Sequence, residues 1–259
     1  MSLLEGKRLL ITGVVTADSI AAAVAAAAIE GGAEVVLTSF ERDMARTLEV
    51  ADQLPVAVDV LELDVTDADH FRRLTAELRS RWDALDGVLH AVAFAPRPAL
   101  AGDFVSADAT SVQRAFHTSA FSFASLAGVL RDLAPASGGS IVGLDFDAAG
   151  AWPVYNWMGV CKSALEATSR YVARDLGAQG IRSNLVAAGP LQTRAAGGIP
   201  DFERLTDAWT ARSPLPWDTR DPAPVADAVC FLLSDLARAV TGEILHVDGG
   251  YHAMASALR

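Results

Sequence analysis

The chain has 259 residues, half of them apolar (51%) and a fifth charged (20%), enough for one large α/β domain with a substantial core. Its net charge of −11 argues against a nucleic-acid partner, which needs a basic surface. Two cysteines far apart, Cys161 and Cys230, give no disulfide framework, and the five histidines show no ligand spacing, so neither a metal nor an oxidising compartment is expected.

In chain order, Lys7–Thr12 reads as a short strand that ends at Gly13. Ser19–Glu30 reads as a helix, stopped by Gly31 and Gly32; its apolar stretch is too short to span a bilayer. A strand at Val35–Ser39, a helix at Arg42–Gln53 and a strand at Val58–Leu63 follow. Asp67–Trp82 is amphipathic, with Phe71, Leu74 and Leu78 on one face. Asp86–Ala93 contains a strand, Asp108–Leu133 a long helix, and Gly138-Gly139 opens the strand SIVGL. Val154–Leu176 is a long helix and Arg182–Ala187 a strand. A variable segment runs to about Trp217, then a helix at Pro222–Leu233 and a last strand at Glu243–Val247. Strict alternation predicts an α/β fold, a parallel doubly wound sheet with helices on both faces. Function is then expected at the carboxyl ends of the strands.

The first such end is TGVVTADSIA, Thr12–Ala21. It keeps Gly13 but lacks the full GxGxxG dinucleotide pattern. Asp18 and Ser19 are candidate caps, and the free N–H groups behind them suit a pyrophosphate. Phe40 ends the second strand where an adenine-binding residue would sit, and Asp64-Val65 follow the third strand, placed to meet the adenine edge. Ala91 and Ala93 are small enough for close approach of a ribose. Glu41 and Asp43 flank Arg42 and disfavour a 2′-phosphate, so NADH is expected over NADPH. Tyr155 and Lys162 are seven apart on a predicted helix, which puts them on one face, about 10 Å apart along the axis.

Together TGVVTADSIA, LELDV, HAVAFAP, GGSIVGLDFD, YNWMGVCKSALEA, NLVAAGP and HVDGG resemble the enoyl-acyl-carrier-protein reductases. These form a divergent branch of the short-chain dehydrogenase/reductase superfamily, and the mycobacterial type is the nearest likeness. The resemblance runs nearly end to end. It implies a single-domain, seven-stranded Rossmann fold over residues 1–259 with a substrate loop and short helix at about 193–217, a cytoplasmic homotetramer, and NADH-dependent reduction of a trans-2-enoyl thioester in fatty-acid elongation. It further implies that Gly13, Val15, Ser19 and Ile20 line the pyrophosphate, with Thr193 touching it. Phe40, Asp64 and Val65 would surround the adenine, Ala91 and Ala93 the ribose, and Leu191 the carboxamide. Lys162 would hold the nicotinamide ribose. Tyr155 would hydrogen-bond the thioester carbonyl, Phe146 would lie beside the double bond, and Phe94 farther out toward the substrate. Trp152 fits either core or pocket wall.

The reaction needs a donor at the carbonyl oxygen, where negative charge collects once hydride reaches the β-carbon; such a donor is worth roughly 3 kcal/mol. Tyr155 can supply it. A carbonyl reductase of the same superfamily would need Tyr and Lys four apart and a serine thirteen residues before the tyrosine; Gly159 and Val142 occupy those places. A non-catalytic dinucleotide sensor is the other alternative, but both Tyr155 and Lys162 are kept. The segment Thr193–Trp217 is shorter than the mycobacterial loop, which implies acyl chains of medium length. Only Arg204 is basic in Ile199–Arg204, with Arg194 and Arg212 nearby. Acyl carrier protein and coenzyme A both stay open as the carrier.

Overall fold

The computed structural model describes residues 2–255. Seven strands form one parallel sheet: β1 (Arg8–Ile11), β2 (Glu34–Ser39), β3 (Asp59–Glu62), β4 (Gly87–His90), β5 (Gly139–Asp145), β6 (Ile181–Ala188) and β7 (Ile244–Val247). Their order is β3-β2-β1-β4-β5-β6-β7. The chain therefore winds outward in both directions from β1, where Leu10 pairs with Val36 on one side and Val88 on the other. The central strands are continuous apolar runs because both faces of the sheet are covered. This is the Rossmann arrangement.

The helices are α1 (Ile20–Glu30), α2 (Met44–Ala51), α3 (Ala68–Arg81), α4 (Arg97–Leu100), α5 (Ala109–Phe116), α6 (Ser122–Leu133), α7 (Asn156–Leu176), α8 (Glu203–Arg212) and α9 (Ala223–Leu233). On one face α1 packs through Ala21, Val24, Ala25 and Ala28 beside Val225, Ala226 and Val229 of α9. Alanine lets these helices approach the sheet closely. On the other face Leu74 and Leu78 of α3, Phe123, Leu126 and Leu130 of α6, and Leu165 of α7 form the second core layer. A third, aromatic cluster gathers Phe146, Tyr155, Trp209 and Tyr251 from segments that follow β5, precede α7, belong to α8 and follow β7.

Three expectations change in detail. The predicted helix Arg42–Gln53 is a tight turn at Glu41–Asp43 followed by the shorter α2. The predicted helix Asp108–Leu133 is interrupted by a π-helical turn at His117–Phe121 between α5 and α6. Its Ser119 hydroxyl accepts from the Phe94 N–H at 3.0 Å and donates to the Phe94 carbonyl at 3.1 Å, so the widened turn grips the loop after β4. Finally α7 starts at Asn156, leaving Tyr155 as the residue before its first turn.

Candidate active site

The carboxyl ends of the strands open into a cleft of about 540 Å³, continuous with a recess of about 440 Å³ over the β1–α1 turn. Every cofactor residue named from the sequence lines one or both: Gly13, Val15, Ser19, Ile20, Phe40, Asp64, Val65, Ala91, Ala93, Lys162, Leu191 and Thr193.

The recess is shaped by main chain. Gly13 has φ +82°, and a Cβ there would lie 2.0 Å from the Ala91 carbonyl oxygen. Glycine alone lets the turn after β1 meet the loop after β4. Thr12 clamps the same junction: its hydroxyl donates to Leu89 O at 2.9 Å and accepts from Ala91 N at 3.1 Å. Ser19 caps α1, its Oγ accepting from Ala22 N at 3.1 Å. No acidic residue stands in the first turn of α1, and Asp18 lies outside it, before the Ser19 cap. The buried Thr16 hydroxyl has no partner within the protein. A close main-chain approach, a helix N-terminus and an orphaned hydroxyl together fit a pyrophosphate. Thr16 carries no motif of its own and was not singled out from the sequence.

Toward the adenosine end, Phe40 is 38% exposed and offers a ring face. The Arg42 guanidinium lies 5.0 Å from the Phe40 ring centre and 5.9 Å from that of Phe94. Asp43 engages Arg42 at 3.3 Å and Arg46 at 3.0 Å, which offsets the charge that would attract a 2′-phosphate. One oxygen of Asp64 accepts from the Thr66 N–H at 2.8 Å, fixing the turn that presents Asp64 and Val65.

The other half of the cleft is shaped by side chains. Lys162 is buried and donates from Nζ to Leu144 O at 2.7 Å, leaving its remaining ammonium protons for other acceptors. Burial pushes the lysine pKa down, and the Asp145 charge opposes the shift. His90, also buried, is bonded through Nε2 to Ser122 Oγ at 2.8 Å, and burial then the Lys162 charge push it down to about 3. It is neutral and stays so. Burial, then the Asp145 charge, drive the Tyr155 hydroxyl far above its ordinary value. It therefore keeps its proton and can only act as a neutral donor.

Tyr155 is not presented by a helix face, as the seven-residue spacing had implied. Its neighbours Val154 and Asn156 have φ +63° and +38°, so the chain kinks on both sides of it. A β-branched residue in the left-handed region is strained. The kink is pinned by Asn156 Nδ2 on Gly102 O and Trp157 Nε1 on Phe104 O, both at 3.0 Å. The Tyr155 ring packs 5.1 Å from Phe146, and both line the cleft.

Trp152 does not line the cleft. It lies behind Phe146, with ring centres 5.3 Å apart, in contact with Trp209 and Tyr251, and belongs to the packed aromatic cluster. Trp209 stacks on Tyr251 at 3.8 Å and is 1% exposed, so it anchors α8 over the site. Phe94 lines the opening between the two halves. Met158 of α7, with Ile199, Phe202 and Leu205 of the predicted substrate segment, adds an apolar wall. Asp145 lies within the motif GGSIVGLDFD, which by itself assigns it no role.

A parallel doubly wound sheet with a pyrophosphate-shaped turn, joined to an apolar cleft holding a buried lysine and a protonated tyrosine, defines a dinucleotide-dependent reductase. A family profile described as Enoyl-(Acyl carrier protein) reductase matches residues 13–252. The chain is 45% identical to the NADH enoyl-acyl-carrier-protein reductase of Mycolicibacterium smegmatis, over 96% of this chain and 97% of that one. It is 43% identical to the protein of the same name from Mycobacterium avium, with 96% and 97% covered, and 40% identical to the one from Neisseria meningitidis serogroup B, with 97% of each covered. The chain belongs to the enoyl-acyl-carrier-protein reductase family.

Proposed function

We propose that the protein uses NADH to reduce the trans-2 double bond of an enoyl thioester borne by acyl carrier protein. The observation that carries this reading is Tyr155: buried, unable to ionise, and set beside Phe146 in the apolar half of the cleft. NADH, when bound, supplies the hydride. Tyr155 donates a hydrogen bond to the thioester carbonyl and holds the negative charge that develops there, without surrendering its proton. Lys162 binds the nicotinamide ribose, and its ammonium favours the developing anion. Phe146 excludes water from the reacting carbons. Gly13, Val15, Ser19, Ile20 and Thr193 receive the pyrophosphate; Phe40, Asp64 and Val65 receive the adenine; Ala91 and Ala93 border its ribose; Leu191 meets the carboxamide.

Ile199, Phe202 and Leu205 receive the acyl chain, whose length is medium because the segment from Thr193 to Trp217 is short. The whole chain acts as one domain, with residues 193–217 as its substrate segment. It works in the cytoplasm, which suits two free, buried cysteines. Among the described residues no helix is long and apolar enough to cross a membrane. It assembles as a homotetramer; Phe116, Phe121, Val160 and Tyr171 are exposed apolar residues at or near α5 and α7 that a second copy would cover.

The test follows NADH and NADPH oxidation with crotonyl thioesters of carrier protein and of coenzyme A. NADH with the carrier-protein thioester is the expected best pair; faster turnover of the coenzyme A thioester would move the substrate to that carrier. Tyr155→Phe should lower kcat by about 10²–10³-fold with NADH affinity kept. Lys162→Ala should weaken NADH binding. Wild-type turnover in the first variant, or wild-type NADH affinity in the second, would overturn the assigned roles.

A further inference from the structure

Arg114 belongs to α5 and lines the cleft. Its guanidinium sits over the Phe94 ring, 5.2 Å from the ring centre. Phe94 is itself held in place, because the Ser119 hydroxyl in the π turn after α5 engages both its N–H and its carbonyl. The ring thus props a cation at the opening of the cleft. Arg42 lies over the same ring at 5.9 Å, but Asp43 engages its charge at 3.3 Å. Arg114 has no such partner: among the described residues its side chain makes no ion pair and no hydrogen bond.

Acids outnumber lysine and arginine here, 32 to 21, and pair with many of them, as Asp235 does with Lys7 and Asp86 with Arg8. An exposed arginine without a partner is ordinary in itself, as Arg73 on α3 shows. Arg114 differs in being lodged on an aromatic ring that lines the cleft. Such a cation in so acidic a chain fits an anion that arrives with a ligand.

NADH does not bring that anion. Its charge is the pyrophosphate, and the recess over the β1–α1 turn is lined by Arg42, Arg46 and Arg194, not by Arg114 or Phe94. Self-association does not use Arg114 either. The exposed Phe116 is two residues on, about 200° around the helix, so a copy seated on Phe116 leaves Arg114 facing the cleft. The thioester does bring an anion. Acyl carrier protein and coenzyme A both carry their acyl group on a 4′-phosphopantetheine arm, whose phosphate stays toward the mouth while the thioester reaches Tyr155. In the 193–217 segment Arg212 is committed elsewhere, to the hydroxyl of Tyr251 at 3.3 Å and to its ring.

We propose that Arg114 receives the phosphate of the phosphopantetheine arm, so that α5 reads a chemistry shared by carrier protein and coenzyme A. The inference rests on reading the cleft as an enoyl-thioester reductase site.

Steady-state turnover with saturating NADH tests it on crotonyl thioesters of pantetheine, 4′-phosphopantetheine, coenzyme A and holo carrier protein. In the wild type the added phosphate should lower KM about five- to tenfold, and the advantage should shrink as salt rises. In Arg114→Gln the KM ratio between pantetheine and 4′-phosphopantetheine should fall to near one. Arg114→Lys, which keeps the charge but not the planar fork, should retain part of the ratio, and Arg73→Gln all of it. The Gln variant should lose the same factor with coenzyme A and with carrier protein. A loss confined to coenzyme A would place Arg114 on the nucleotide, and one confined to carrier protein would place it on the protein surface; either overturns the inference. So does an unchanged ratio in the Gln variant, or a parallel fall in NADH affinity by fluorescence titration. Wild-type protein that reduces none of these thioesters would instead overturn the reductase reading, and this inference with it.

Discussion

At the phosphate end the cleft is built mainly from main chain: Gly13 against the Ala91 carbonyl and the N-terminal N–H groups of α1, with the Thr12 hydroxyl clamping the loops together. At the chemical end it is built from side chains. Lys162, Phe146, Tyr155 and Asp145 are each less than a tenth exposed, and the backbone around Tyr155 is kinked to aim it. The first region keeps its polar groups paired apart from Thr16, and the second leaves a whole carboxyl unpaired. A phosphate is the same in every dinucleotide, so backbone and a helix end suffice to hold it. A developing enolate needs a donor at one point in a dry place, which only packed side chains provide. The chemical end is therefore preorganised at a cost in stability, and the phosphate end is not.

The sharpest way to break this contrast is Gly13→Ala. The new Cβ would sit 2.0 Å from the Ala91 oxygen at a φ of +82°, and the obstructing atom is backbone, which cannot swing aside. The β1 and β4 loops must separate. We expect a stability loss of at least about 3 kcal/mol in denaturant unfolding and NADH binding weakened beyond tenfold, roughly 1.4 kcal/mol. An alanine variant that binds NADH like the wild type would show that main-chain approach does not build this end.

The next effect tests the chemical end, and its sign is opposite. The Asp145 carboxyl has a folded pKa of about 7, above its ordinary 3.8. Between those values the folded protein holds more proton than the unfolded chain, so this group's stabilising contribution is complete below about pH 4 and is lost as pH rises through 7. Asp145→Asn should thus make the NADH-free protein more stable at pH 8, by at most about 4 kcal/mol, with the gain vanishing toward pH 4. His90 acts the other way. Its pKa is depressed from 6.5 to about 3, so its contribution is present above pH 6.5 and lost as pH falls through 3. The two slopes offset one another between about pH 4 and 6.5 in the wild type, and the Asn variant exposes the His90 slope alone. Thermal unfolding across that range measures both. Equal wild-type and variant stability at pH 8 would mean the buried carboxyl is not a burden, and the contrast between the two regions would fail.

The same difference explains what could be read from the sequence. Strand–helix alternation comes from apolar runs and glycine punctuation, and it located all seven strands and the glycine turn after β1. The family motifs then carried Tyr155, Lys162 and Phe146 to the cleft. What escaped was set by tertiary packing. The kink at Tyr155 depends on Gly102 and Phe104, some fifty residues earlier. The π turn depends on Ser119 meeting the Phe94 backbone. Trp152 could be core or pocket wall until Trp209 and Tyr251 were seen to enclose it. Asp145 differs from any acid at a strand end only in its burial beside the cleft.

The smallest effect probes how far main-chain recognition extends at the phosphate end. Ser19 caps α1 through a 3.1 Å bond from Ala22 N, and it also lines the recess. Removing the cap in Ser19→Ala should cost about 1 kcal/mol, a fall in Tm of roughly 2–4 °C in the NADH-free protein. NADH affinity should change less than about threefold, because the N–H groups and positive end of α1 remain to hold the anion. Both are read by thermal unfolding and by NADH fluorescence titration. An affinity loss larger than the stability loss would place the hydroxyl itself on the pyrophosphate. Recognition at this end would then be shared between side chain and backbone, and the division between the two halves of the cleft would begin at Ala22 rather than at Ser19.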